Sequence, residues 1–211
     1  RNKDNNCLCS DVKVAVPSPE TITGLMDDQN GCESNPYTFA LKPGVPTYDS
    51  YTWEAVSPAD GLSYLSATNT ATPVFTYNGA KLTTDTEFKY KLKITRPDGG
   101  CESTQEVKLT VKPAPSITPL TAPINPYCTG TTAASLTAVA NTHGVAGTLS
   151  YEWYESLTNA YNGTLKGSSP TYTPPTNAAG IKYYYVKVKN SGCGETLSNI
   201  IMVKTNATPA Q

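Results

Sequence analysis

Histidine is almost missing from this chain: His143 is the single one in 211 residues. No Cys-x-x-Cys pair accompanies it, so a zinc centre of His and Cys ligands has little to be built from. There is no Gly-x-Ser-x-Gly elbow either. With one histidine, in the loop Asn141-Thr-His-Gly144, a Ser-His-Asp arrangement lacks support. Charge is also sparse, at 16% of residues with a formal net charge of −1. The lysines are scattered singly along the chain. Nucleic-acid binding and attraction to an anionic membrane surface both rest on clustered Lys and Arg, and both are disfavoured. No run approaches the ~18 apolar residues that a membrane-spanning helix needs, and no stretch reads as a helix.

What is present is β-patterned. The hydrophobic share is 38%, and Val, Ile, Leu, Tyr and Trp alternate with polar residues too regularly for a disordered chain. The chain also repeats itself. Tyr51-Thr-Trp53, Thr72-Pro-Val-Phe75, Tyr90-Lys-Leu92-Lys-Ile94 and Gly100-Cys101 are followed about a hundred residues later by Tyr151-Glu-Trp153, Ser169-Pro-Thr-Tyr172, Tyr184-Tyr-Val186-Lys-Val188 and Gly192-Cys193. A lone cysteine precedes each copy, Cys32 and Cys128. A length of 211 residues suits two such domains. Cores of that size are marginal and benefit from cross-links.

Six cysteines in so polar a chain point to an oxidising compartment. Six can pair in 15 ways. The repeat narrows the choice to equivalent bridges, Cys32–Cys101 and Cys128–Cys193. Each would close a loop of about 70 residues and contribute about 4 kcal/mol on chain-entropy arithmetic. Cys7 and Cys9 are left over: an internal bridge between them is strained, and links to another chain or an idle thiol are the alternatives.

Residues 1–11 read as a polar tether without the apolar core of a signal peptide, so any export signal is expected to have been removed. The expected strands are Asp11–Val16, one through Tyr37, Phe39 and Leu41, Tyr48–Val56, Thr72–Tyr77, Phe88–Thr95 and Gln105–Lys112. Turns are expected at Asp27–Gly31, Ser57–Gly61, Asn78-Gly79 and Arg96–Gly100. After a Pro-rich junction the cycle repeats, with strands around Ser116–Leu120, Ala134–Ala140, Leu149–Glu155, Thr164–Lys166, Pro170–Thr173, Ile181–Lys189 and Asn199–Lys204. Short strands with turn signals every 8–12 residues specify an antiparallel sandwich.

Trp53 and Trp153 read as core plugs, each burying about 150–250 Å². Glu54, Glu152 and Glu155 adjoin them. A carboxylate pair could hydrolyse a glycoside, but solvated strand faces are the simpler reading. Asp27, Asp28 and Asn30 lack the order of a calcium loop and read as a turn. Asn162-Gly-Thr164 and Asn206-Ala-Thr208 match glycosylation sequons. Tyr154, Tyr183 and Tyr185 are expected to face solvent and are the candidate ligand-facing residues, with cross-strand aromatic pairing as the structural alternative.

These motifs together resemble the Ig-like and PKD-like repeats of surface and secreted proteins of Gram-negative bacteria. The Trp-x-Phe-Gly-Asp-Gly signature of PKD domains is absent, since Trp53 is followed by Glu-Ala-Val. The resemblance implies stalks, spacers or adhesive modules. The expectation is therefore an all-β chain of two tandem antiparallel Ig-like/PKD-like β-sandwich domains, at 12–113 and 114–207, with a tether before and a tail at 208–211. Its expected role is non-enzymatic cell adhesion or spacing at the cell surface, without a cofactor. The partner would be a protein or glycan ligand, and membrane attachment would come through a removed lipid anchor at most. The second expectation is a glycan-binding module of a polysaccharide-uptake system.

Overall fold

The computed structural model describes residues 20–21, 24–95, 102–121 and 126–209. The expected strand Asp11–Val16, the hairpin Arg96–Gly100 and Cys7, Cys9 and Cys101 lie outside the described residues. The chain divides into two compact units, Arg1–Lys112 and Pro113–Gln211.

In the first unit the elements are β1 (Glu20–Thr21), β2 (Gln29–Cys32), β3 (Tyr37–Thr38), β4 (Ser50–Ser57), a 3-10 turn at Gly61–Tyr64, β5 (Val74–Phe75), β6 (Thr86–Thr95) and β7 (Glu102–Lys112). The main sheet runs β1-β7-β6-β4, with β2 also lying along β7. β6 shows why. Phe88, Tyr90, Leu92 and Ile94 recur at period two and are buried, while the lysines between them face outward. Each such burial contributes about 1.5–3 kcal/mol as an upper estimate. The facing layer is the β3–β5 pair, which brings Phe39 to 4.9 Å from the Trp53 ring and Phe75 to 4.9 Å from Phe88.

Two expected turns are corrected. Within Asp27–Gly31, residues Gln29 to Gly31 belong to β2, a strand parallel to the end of β7. The Gln105 amide holds this segment by accepting from Leu25 N at 2.8 Å and donating to Met26 O at 2.5 Å, and Asp28 Oδ1 accepts from Lys108 N at 3.1 Å. Asn78-Gly79 makes a bend rather than a two-residue hairpin. The Tyr77 ring folds over Gly79, where a Cβ would meet its hydroxyl at 2.7 Å, and that hydroxyl donates to Ala80 O.

The second unit has β8 (Ser116–Ile117), β9 (Tyr127–Cys128), β10 (Leu136–Thr137), β11 (Ala140–Asn141), β12 (Leu149–Ser156), β13 (Thr164–Gly167), β14 (Thr171–Tyr172), β15 (Gly180–Asn190), β16 (Glu195–Leu197) and β17 (Ile201–Asn206). Its main sheet runs β13-β12-β15-β17-β9, with β16 on β15. The β10–β14 pair covers the inner face, placing Tyr172 against Trp153 and Tyr184. The chain is thus all-β, two sandwiches in which β4, β6 and β2 correspond to β12, β15 and β9, and β7 to β16 and β17 together. Both tryptophans are buried, and each indole donates to a backbone carbonyl across the core. Trp53 Nε1 bonds Thr70 O at 2.8 Å, and Trp153 Nε1 bonds Ser169 O at 2.9 Å.

The cysteines require the largest correction. Cys32 and Cys193 are disulfide-bonded, but Cys128 is a free, exposed thiol, so Cys128–Cys193 is not a bridge. The topology explains this. Cys128 pairs beside Asn206, whose neighbour Thr205 faces Gly180 at the start of β15. Cys193 turns back after Asn190 at the end of β15. Eleven residues of strand separate these ends by about 30 Å, against the ~7 Å limit for a disulfide. In the first unit Cys32 pairs beside Lys112, at the opposite end of β7 from Glu102. Cys101, its expected partner, lies outside the described residues.

Candidate functional site on the second unit

The outer faces of the two main sheets differ in their exposed apolar side chains. In the first unit Lys89, Lys93 and Lys108 pair with Glu87, Glu102 and Asp28, giving a solvated, self-neutralised surface. On the second unit Glu152, Glu195, Lys187 and Lys189 pair in the same way, and Tyr154, Tyr183 and Tyr185 stand where the first unit has Glu54, Lys89 and Lys91. Among the exposed large hydrophobic side chains of the described residues, Val56 belongs to the first unit, whereas Val139, Leu157, Tyr161, Leu165, Ile181, Leu197 and Met202 belong to the second.

The three expected tyrosines are not equivalent. Tyr154 and Tyr185 are register partners on β12 and β15, and their rings stack at 5.0 Å between centroids with 8° between planes. Tyr185 is 3% exposed, which corrects its expected solvent-facing role. Its burial comes from the β12–β13 connection, which folds back over the sheet and sets Tyr161 edge-on to it at 4.9 Å. Tyr154 is half-buried, and its hydroxyl donates to Glu152 at 2.8 Å. Tyr183 is partly exposed and pairs with Ser156 and Met202.

The covering connection, residues 157–163, is braced throughout. The Ser156 hydroxyl sits 2.7 Å from Asn162 Oδ1 and 2.8 Å from Thr158 O. Thr158 N donates to Ser156 Oγ, and Thr158 Oγ1 to Asn162 Oδ1. Gly163 N donates to the Tyr185 hydroxyl at 3.0 Å, and Tyr161 OH donates to Ser198 O at 2.8 Å. Gly163 passes so close to β12 that a Cβ there would lie 2.6 Å from Glu155 O. Sequence reasoning singled out Asn162 as part of a sequon and missed Tyr161. The available signal was one aromatic among Thr, Asn and Gly in a hairpin connection.

The carboxylates also resolve. Glu152 lies on the outer face, with Lys189 at 2.8 Å and Lys187 at 3.3 Å. Bonds from Lys189, Tyr154 and Lys187 hold its carboxyl down at about 2. Glu155, read from sequence as a solvated strand residue, is on the core face two residues beyond Trp153, its side chain 12% exposed. Burial works against its charge, but the Tyr184 hydroxyl at 2.8 Å and Lys182 at 3.1 Å outweigh this and lower its pKa. Glu152 and Glu155 are therefore both ionised at neutral pH and on opposite faces. A glycosidase acid needs a carboxyl kept protonated, the reverse of this arrangement. Among the described residues no three His, Cys, Asp or Glu side chains cluster to hold a metal ion, and no helix is long and apolar enough to cross a membrane.

Beside this face, where β15 begins, a pocket of about 170 Å³ is lined by Leu157, Pro175, Ala178, Ile181, Tyr184 and Val203.

Residues 121–207 match the family described as Domain of unknown function (DUF8696). No curated protein matches the chain in sequence. Among solved structures the chain is similar to the fibronectin(III)-like modules of Clostridium thermocellum CbhA, at 15% identity and a TM-score of 0.36, covering 89% of this chain and 93% of that one. It is also similar to a SusE-like surface located polysaccharide binding protein from the Bacteroides thetaiotaomicron heparin utilisation locus. There the identity is 11% and the TM-score 0.47, with 90% of this chain and 35% of that chain covered. A third likeness is to extracellular domains 3–5 of Drosophila OTK, at 15% identity and a TM-score of 0.33, covering 89% of this chain and 61% of that one.

Proposed function

We propose that the chain is a non-catalytic module of an exported, surface-located protein, of the cell-adhesion or spacer type, that presents a binding face on its second unit. The observation that carries this is the asymmetry between the two sandwiches. Both outer sheets carry paired charges, but the second unit adds exposed tyrosine, leucine and isoleucine around them, where the first exposes Val56. An apolar exposed face disfavours solubility and is expected where a partner covers it. Disulfide bonding at Cys32 and Cys193 supports an oxidising, extracytoplasmic setting. The PKD-like and adhesin-type character of the repeats belongs to the same proposal.

The test is attachment. Microspheres coated with the chain are expected to adhere to cultured epithelial cells or mucus, and to lose most of that adhesion when Leu157 and Leu165 are both changed to Ser. Beads that bind no better than bare ones, or a double variant that adheres undiminished, would overturn the reading.

A further inference from the structure

Tyr161 combines properties that seldom coincide. It is 53% exposed, yet its ring is fixed at both ends. One side packs edge-on against Tyr185, and the hydroxyl is tied to a carbonyl 37 residues away. The loop that carries it is held by bonds from Ser156, Thr158 and Gly163. An exposed side chain ordinarily keeps its rotamer freedom, and a ligand must then bear the entropy of ordering it. Here that ordering has been completed by the fold, while the free face of the ring stays in water.

Resting on the reading that this face binds a partner, we propose that Tyr161 is the stacking platform for a neutral sugar ring within a glycan chain. A pyranose presents a flat array of C–H bonds about the size of one aromatic ring, bordered by hydroxyls. The surroundings match that shape. Thr158, Asn159 and Asn162 are exposed polar side chains in the same loop. Asn162 Oδ1 is already engaged by two hydroxyls, while its amide NH2 donates to no group among the described residues and can meet a sugar hydroxyl. No charged side chain occurs between Leu157 and Gly163, and neighbouring Glu152 is neutralised by Lys187 and Lys189. An acidic glycan would need an unmatched cation that this loop does not supply. A protein partner is the poorer fit at Tyr161, since a stable protein interface takes about 800 Å² per side with an apolar centre. At Tyr161 itself the nearest loop side chains are the short polar groups of Thr158, Asn159 and Asn162, with Leu157 at the edge.

Affinity electrophoresis with neutral polysaccharides cast into native gels (β-glucan, xylan, mannan and starch) tests this. The full chain is expected to be retarded by at least one. Tyr161→Ala should weaken that binding at least about ten-fold, while Tyr161→Phe, which keeps the ring and loses the tether to Ser198, should fall in between. Val56→Ser in the first unit should change nothing. Near-UV circular dichroism confirms that the variants fold; if Tyr161→Ala does not, the Phe variant and an Asn162→Ala variant carry the comparison. No retardation by any of the four, or retardation equal in all variants, overturns the proposal. Bead adhesion that persists without polysaccharide binding would reject the sugar and leave the adhesion reading standing. Polysaccharide binding without bead adhesion would do the reverse.

Discussion

The ring of Tyr154 lies flat on that of Tyr185, 5.0 Å away, across two neighbouring strands of the second unit. The pair turns an outward strand position into a small second core, roofed by Tyr161 and closed by the Gly163 N–H on the Tyr185 hydroxyl. Removing the buried ring should therefore behave as a core truncation. Tyr185→Ala is expected to destabilise the second unit by about 3 kcal/mol, and Tyr183→Ala by under about 1 kcal/mol. Urea denaturation of the two variants measures this, and equal losses would contradict the buried pair.

Each unit contains a single tryptophan, and each indole is bonded to its own core carbonyl. Trp53→Phe leaves Trp153 as the reporter of the second unit, and Trp153→Phe leaves Trp53 for the first. Each substitution should cost its own unit about 2 kcal/mol, through lost packing and an unpaired carbonyl. Fluorescence-detected unfolding of the two variants should show that Tyr185→Ala shifts the Trp153 transition. A shift of comparable size in the Trp53 transition would refute the assignment to one unit.

Cys128 is exposed and free beside Asn206, whereas Cys193 is oxidised at the far end of the same sheet. Without reductant, a maleimide should label Cys128 in the folded chain. Cys128→Ser should alter stability by less than about 0.5 kcal/mol, as for ordinary surface changes, while Cys193→Ser should cost about 2–4 kcal/mol. Non-reducing peptide mapping that joined residues 128 and 193 would overturn this assignment.

The long strands were legible because burial follows period two. Phe88, Tyr90, Leu92 and Ile94 on β6, and Val107, Leu109 and Val111 on β7, declare their inner faces directly. The repeat correctly made Cys32 and Cys128 equivalent, since both lie beside the end of the last strand of their sheet. It did not reveal redox state, because strand length separates cysteines that look close to equivalent hairpins. β2 was hidden because a side chain, Gln105, supplies the bonds that hold its approach. The candidate site was half visible. Alternation assigned Tyr185 to the outer face, and the cross-strand aromatic pairing given as the alternative is what its stack on Tyr154 shows. A loop folding back over a sheet leaves no periodic trace, so neither the depth of its burial nor Tyr161 could be read.

The two lysine-held carboxylates give the second unit a defined response to acid. Glu152 titrates at about 2 rather than at its ordinary 4.5, through its bonds from Lys189, Tyr154 and Lys187, and Glu155 is lowered in the same direction. A carboxyl with a depressed folded-state pKa contributes stability that is complete above its unfolded value. That contribution fades as pH falls through the folded one. The second unit should therefore lose stability between about pH 4.5 and pH 2, and Glu152→Gln should flatten that slope while lowering stability at pH 7 by about 1 kcal/mol. This figure is kept small because solvent screens the partly exposed pair. At the other extreme, burial and the bond to Glu155 raise the Tyr184 hydroxyl above 10, so stability should fall again as pH rises past that value. Thermal unfolding followed through Trp153 from pH 2 to pH 11 reads both limbs. An acid limb unchanged by Glu152→Gln would show that the lysine pairs on the outer face contribute nothing to holding the sheet.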